Sequence, residues 1–284
     1  MGGIMFGDLH LVARLANVHL ATVAVSLVNL IPLPYNFLPV QVAGYTMHAH
    51  RFDRYLALWL LKLRQLEPYD SDLIAELCQP GMVAIDIGAN LGYYTLLLAQ
   101  RVGEMGKVWA FEPDPDNFAS LTKNITTNYY RNIIAIPSAV GAKTEHAQLY
   151  VSTAHGGDHR IYNPSEKGRA VIDIDMAALD DFFAPGTRID VIKMDIQGAE
   201  GLALAGMQRV LAENSNIILL MEFWPEGLTQ AHTDPSAFLK DLQRLDFRVE
   251  AVDERAKKTI PITSPAAYIA TLKQGAYQTI LARR

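Results

Sequence analysis

Two rhythms of hydrophobic and polar positions alternate along this chain. Short apolar runs at 82–87, 107–111, 133–140, 189–194, 217–222, 247–252 and 277–282 predict strands. Their apolar residues are nearly continuous, as suits strands covered on both faces of a parallel sheet. Amphipathic segments at 56–66, 72–78, 94–102, 116–128, 176–183, 202–211 and 235–245 predict helices, and Gln79-Pro80-Gly81 stops the second of them. The rhythm lapses between 141 and 169, where a hairpin through 148–151 and a Gly- and His-rich loop over 154–168 are expected, with a short strand at 170–174 behind them. The order implies an α/β fold with about seven strands, mostly parallel, helices on both faces, and a terminal strand able to pair antiparallel inside the sheet.

Composition narrows the picture. With 284 residues, half of them hydrophobic and 19% charged, one large core with an N-terminal extension is expected. A net charge of −5 argues against a broad grip on nucleic-acid phosphates. Cys78 is the single cysteine, which excludes an internal disulfide and a cysteine-based zinc cluster. No Asp, Glu, Lys or Arg occurs between Arg14 and Arg51, and residues 15–33 are long enough to span a bilayer. Asn17, His19 and Asn29 interrupt that segment, Pro32 and Pro34 close it, and Arg14 is its one flanking charge. A docked helix covering the domain or an oligomer interface, a membrane-associated helix and a cleaved signal all stay open. The expected location is cytoplasmic, with peripheral membrane contact through residues 15–33 and homo-oligomerisation left open.

The chemistry concentrates at strand ends. Val83-Ala-Ile-Asp-Ile-Gly-Ala-Asn-Leu-Gly-Tyr-Tyr-Thr95 reads as strand, Gly-containing turn and helix, a cradle for a cofactor on bare backbone amides. Asn90 and Tyr93 stand where a dinucleotide fingerprint would carry its second and third glycines, which weakens a nicotinamide reading. Asp86 is placed instead to accept from an α-ammonium group. Glu112 ends the next strand, where it can hold a ribose diol, and the small residues of Pro137-Ser-Ala-Val-Gly141 leave room for a flat base.

These residues carry a resemblance. Asp86-Ile-Gly-Ala-Asn-Leu-Gly92, Phe111-Glu-Pro113, Ser138-Ala-Val-Gly141 and, most specifically, Ile192-Lys-Met-Asp-Ile-Gln-Gly-Ala-Glu200 resemble the FkbM-type class I methyltransferases. The resemblance covers roughly residues 67–222 and implies a Rossmann-like seven-stranded sheet; the expected division is an apolar, helical extension over residues 1–66, outside the match, and a class I methyltransferase domain over residues 67–284. It implies S-adenosylmethionine as donor and O-methylation of a sugar, glycan or macrolide-like hydroxyl. The residues expected on the cofactor are Asp86, Gly88, Asn90, Gly92, Tyr93, Thr95, Glu112, Pro113, Ser138, Ala139 and Asp195. Gln197 stands where members commonly carry an acid.

Methyl transfer from a sulfonium is an in-line displacement, so the acceptor hydroxyl must be aligned and must lose its proton. Asp195 and Glu200, five residues apart across a Gly-containing turn, are expected to converge on one pocket, unless Glu200 only supports the turn before its helix. His159, in His155-Gly-Gly-Asp-His-Arg, is a candidate general base if it is more than a solvated loop residue. Asp158 and Arg160 are candidates for binding acceptor hydroxyls, and so are Glu222 and the stacking face of Trp224, if that aromatic is not core. No metal site is expected. Asp195-Ile-Gln-Gly replaces the Asn-Pro-Pro-Tyr type motif of amino-group methylases, and Cys78 is not preceded by proline as cytosine C5 chemistry requires. A nicotinamide-dependent oxidoreductase and a non-catalytic cofactor-binding scaffold at a membrane are the alternatives.

Overall fold

The computed structural model describes residues 37–50, 67–152, 156–164 and 168–284. The apolar segment 15–33, the helix expected at 56–66 and His155 lie outside the described residues. The first described element corrects the expectation of a helical extension: β1 (Phe37–Val42) and β2 (Tyr45–His50) pair as an antiparallel hairpin. Its turn is Ala43-Gly44, both at positive φ (49° and 89°), the two-residue geometry that matches strand twist.

The main sheet has eight strands. Five run parallel: β3 (Val83–Ile87), β4 (Lys107–Phe111), β5 (Ile133–Ile136), β9 (Val191–Met194) and β10 (Ile218–Phe223). β13 (Gln278–Arg283) inserts antiparallel beside β10, then β11 (Arg248–Asp253) and β12 (Lys258–Pro261) follow, in the order β12-β11-β13-β10-β9-β3-β4-β5. The antiparallel terminal strand is where the pattern places it, and β12 is an added edge strand whose residues are too polar to announce it. The run expected as one strand over 133–140 splits at Pro137-Ser138, and its second half becomes β6 (Ala139–Val140) of a separate sheet with β7 (Glu145–Val151) and β8 (Ala170–Ala177). Proline has no N–H to continue the ladder.

Strand alternation divides the core. Ile85, Ile87, Ile192, Met194, Leu219 and Met221 face one layer, packed on α5 (Glu200–Ala205), α6 (Gln208–Glu213) and α8 (Pro235–Arg244). Ala84, Val191, Leu220 and Leu281 face the other, under α1 (Pro68–Leu77) and α2 (Tyr93–Val102). Truncating a side chain such as Ile85, fully buried, to Ala costs about 2–5 kcal/mol. The single helix expected over 202–211 is broken at Gly206-Met207 between α5 and α6, and glycine there lets the break pack on Gly141, whose carbonyl oxygen a Cβ would meet at 2.0 Å. The helix expected at 176–183 shrinks to α4 (Leu179–Phe182), since 176–177 stay in β8.

α3 (Pro115–Thr127) begins cleanly: Asp114 accepts from the Asp116 and Asn117 amides, and Pro115 occupies the first helical position. Two asparagines of this region fasten the hairpin. Asn124 Oδ1 accepts from His48 N at 2.6 Å, and Asn128 Oδ1 from Thr46 N at 3.0 Å. Val42 and Met47 are fully buried in the α1–α2 layer, so the hairpin belongs to the body of the fold. Two short helices, α7 (Pro225–Gln230) and α9 (Pro265–Thr271), complete the described chain without having been predicted.

Candidate active site

Five parallel strands end at one edge, and two adjoining cavities lie there. A narrow crevice over β3 and β4 is lined by Gly88, Asn90, Glu112, Pro113, Ser138 and Ala139. A wider cavity of about 950 Å³ extends over β9, β10 and β13 toward α1 and β11. Asn90, Gly157, Asp195 and Gln197 line both, and Asp195 supplies the one carboxylate among them.

The crevice is shaped by turns. Gly88 has φ +78°, and a Cβ there would lie 2.1 Å from the Asp195 carbonyl oxygen, so only glycine lets the ends of β3 and β9 approach. Asn90 also adopts positive φ, 51°, and its amide donates to Glu112 Oε2 at 2.7 Å. The other Glu112 oxygen accepts from Asp114 N at 2.9 Å. Burial raises this carboxyl to about 7, against those two amide bonds. Each oxygen keeps a lone pair for a diol. The Gly156 carbonyl accepts from the Asn90 and Asn117 side chains, so the loop roofs the crevice.

Three residues expected on the cofactor lie behind this wall. The space a Gly92 side chain would need holds Leu121 Cδ1 at 2.7 Å, so this glycine serves helix packing. Tyr93 is buried with its hydroxyl 2.9 Å from Ser71 Oγ. Thr95, fully buried, donates to Asp86 Oδ2 at 2.6 Å. Asp86 is itself buried, its Oδ1 has no hydrogen-bond partner, and burial raises its pKa.

Parity along the strands builds the floor. Asp86 and Lys193 are register partners on neighbouring strands, on the α1–α2 face. Glu222 pairs with Thr279 in the same way. Lys193 is buried; burial, which lowers an ammonium pKa, is outweighed by Asp195, Asp86 and Glu67, and the group is held above the ordinary lysine range. Its Nζ lies 3.3 Å from Asp195 Oδ2 and 4.5 Å from the centre of the Tyr94 ring. Gln197 Nε2 donates to Asp195 Oδ1 at 2.9 Å and to Glu222 Oε2 at 3.1 Å. Burial first, then the Asp195 and Glu200 charges, hold the Glu222 carboxyl well above its usual range.

Other expected roles meet different surroundings. Glu200 does not converge with Asp195 on a pocket: it is fully buried, accepts from Ile196 N at 3.1 Å, and supports the turn that opens α5. His159 does line the crevice, but Nδ1 accepts from Ser152 N at 3.1 Å. That contact leaves the ring proton on Nε2, 3.7 Å from Asp114 Oδ2, so the imidazole ties the loop down instead of standing ready as a base. Asp158 is held by Arg160 and Arg169. Arg160 is buried over the Trp224 ring, 4.8 Å from its centre, while Gly227 covers the same indole closely enough that a Cβ would fall 2.1 Å from it. Trp224 is half-buried, with Arg160 over its ring and Gly227 against it, so the indole is largely engaged in packing.

Residues to which the motifs assign no role complete the site: Lys193, Tyr94, Glu67 and Asp70, with Gln197 now placed between Asp195 and Glu222. A lysine inside the apolar run Val191-Ile-Lys-Met194 is the one signal of the four visible in the sequence, because a buried charge needs partners.

A strand-turn-helix crevice with an acid ending the next strand, in a mostly parallel α/β sheet, has the architecture of the class I methyltransferases. The chain matches the methyltransferase FkbM domain over residues 86–249 and belongs to that family. S-adenosylmethionine is its methyl donor, and the nicotinamide alternative falls away. Over 156 residues it is 30% identical to the Sulfurisphaera tokodaii protein named "Probable cobalt-precorrin-6B C(15)-methyltransferase (decarboxylating)", covering 50% of this chain and 80% of that one. Among solved structures it is similar to a methyltransferase FkbM from Methylobacillus flagellatus, with 17% identity, TM-score 0.44 and coverage of 83% of this chain and 56% of that one. A SAM-dependent O-methyltransferase from Thermotoga maritima is similar at 14% identity and TM-score 0.44, over 81% of this chain and 71% of that one.

The residues present fit the donor. Glu112 offers free lone pairs at the crevice, and the orphaned buried oxygen of Asp86 lies beneath the turn. Among the described residues no helix is long and apolar enough to cross a membrane, and no three ligand-type side chains are grouped to hold a metal ion.

Proposed function

We propose that this methyltransferase acts on a hydroxyl group of a sugar or another polyhydroxylated metabolite, with Asp195 as the general base. The observation behind the proposal is the position of Asp195: it is the carboxylate shared by both cavities, and its side chain is 33% exposed between the donor crevice and the wider acceptor cavity. Glu112, Asn90, Gly88, Ser138, Ala139 and Pro113 hold the donor. The donor, when bound, supplies an electrophilic methyl group. Asp195 would take the proton of the acceptor hydroxyl as its oxygen bonds to the methyl carbon and the methyl–sulfur bond breaks, with S-adenosylhomocysteine as the leaving group.

Lys193 and Gln197 fix the Asp195 carboxylate by contacts to separate oxygens, so its remaining lone pairs aim at the acceptor. Glu222, tied to Asp195 through the Gln197 amide, lines the same cavity and orients the acceptor. Residues 1–66 and 67–284 are the division we propose for extension and catalytic domain, with the hairpin of residues 37–50 packed onto the latter.

The test is a methyl-transfer assay with S-adenosylmethionine and a panel of hydroxyl and amino acceptors, products located by mass spectrometry. Methyl groups on oxygen, abolished in Asp195→Asn, support the proposal. Transfer only to carbon or nitrogen, or near-normal turnover of that variant, refutes it.

A further inference from the structure

We propose that the acceptor carries a protonated amine, and that its ammonium group docks against Asp70 and Glu222 in the wide cavity. The inference deepens the hydroxyl-methylation reading and rests on it in taking this cavity as the acceptor site.

Acids dominate the cavity wall. Glu67, Asp70, Asp195, Glu222 and Glu254 all line it, contributed by the approach to α1, by α1 itself, by the ends of β9 and β10, and by the turn after β11. Lys193 is the buried cation facing them, and it is already engaged with Asp195. Arg255 sits at the exposed rim. Asp158 is committed to Arg160 and Arg169.

Asp70 points independently to a ligand. It is 3% exposed, and its Oδ2 accepts from the Thr279 hydroxyl, but its Oδ1 is buried without any hydrogen-bond partner while the residue lines the cavity. A buried acceptor left unmade is costly, so a donor arriving from the cavity gains what the folded chain forgoes. Glu222 stands across Thr279 as its register partner, which puts the two carboxyls on either side of one threonine.

A neutral polyol would cover these carboxylates without compensating their charge, whereas an ammonium group supplies both the donors and the charge. Among the described residues no three His, Cys, Asp or Glu side chains are grouped to hold a metal ion, and the occupant proposed is an organic cation. Tyr268, Leu272 and Ile260 add an apolar wall to the same cavity, suited to the carbon skeleton behind the amine.

The experiment is isothermal titration of the full chain, saturated with S-adenosylhomocysteine, using glucosamine and tobramycin against their N-acetylated counterparts and glucose. The amines are expected to bind at least about tenfold tighter than the acetylated forms, the scale of one charge-assisted hydrogen bond. Asp70→Asn, which keeps an acceptor for Thr279, and Glu222→Gln are each expected to weaken amine binding about five- to tenfold. Retained S-adenosylhomocysteine binding by Asp70→Asn verifies that this variant folds. Equal or tighter binding of the neutral forms, amine affinity unchanged in both variants, or no binding of any probe at millimolar concentration overturns the proposal. The two readings separate cleanly: methylation of neutral sugars with no preference for amines removes the ammonium site and keeps hydroxyl transfer. Amine binding that depends on Asp70 with no O-methyl product does the reverse.

Discussion

The donor crevice and the acceptor cavity share Asp195 and differ in how they are made. The crevice is assembled from consecutive residues at the ends of two adjacent strands: the turn at 88–92 and the acid at 112, tied by one amide-to-carboxylate bond of 2.7 Å. The cavity draws on α1, β9, β10, the turn after β11 and β13, elements separated by up to 209 residues at the Asp70–Thr279 contact. Local geometry builds the crevice, while long-range register builds the cavity. On the function proposed above, acceptor specificity resides in the second.

That contrast can be broken at its shared residue. Asp195→Asn is expected to lower turnover by about 10²–10⁴-fold while donor affinity changes little, since the base is lost and the crevice is not. Single-turnover kinetics beside titration with S-adenosylhomocysteine checks both parts, and an equal fall in donor binding would move Asp195 into the cofactor site.

Gly88→Ala should act on the crevice alone. It places a Cβ 2.1 Å from the Asp195 carbonyl oxygen at a φ of +78°, and a loss of about 2–4 kcal/mol is expected in urea denaturation, together with donor binding. A variant as stable as the parent would show that the β3 and β9 ends can part.

Protons offer a third test. Asp70, Glu112 and Glu200 all have carboxyls raised to about 7 in the folded chain, burial being the first cause of each. Their folded pKa lies above the unfolded one, so the folded state binds more protons between the two values. The stability they allow is complete below about pH 4 and is lost as pH rises through about 7. Without ligands, Tm should fall from pH 5.5 to 8, equivalent to about 2 kcal/mol for each of the three groups, and Asp70→Asn should flatten that slope by about a third. A Tm that climbs over this interval contradicts the sign.

Gln197→Leu removes the amide between Asp195 and Glu222, and a fall of about tenfold in kcat with little change in donor affinity is expected. The smallest effect belongs to Trp224→Leu. Its ring packs against Arg160 and Gly227, so acceptor KM should shift less than about twofold while the protein loses about 1–3 kcal/mol of stability. A large rise in KM would restore Trp224 to the acceptor surface.

The amino-acid order alone determined the strands at 107–111 and 218–223 to within a residue, the helix starting at Pro115, and the glycine turn with its paired acid, because these depend on neighbours a few positions apart. It also determined the family, through motifs that are contiguous. Only the tertiary structure decided that Glu200 supports a turn, that His159 fastens a loop, that Gly92 packs on Leu121, and that residues 37–50 form a hairpin. The same holds for Asp70 meeting Thr279 and for Asp86 lying beside Lys193. The physical reason is that a side chain's chemistry is set by what surrounds it, and a parallel sheet brings together residues that the chain holds about a hundred or more positions apart.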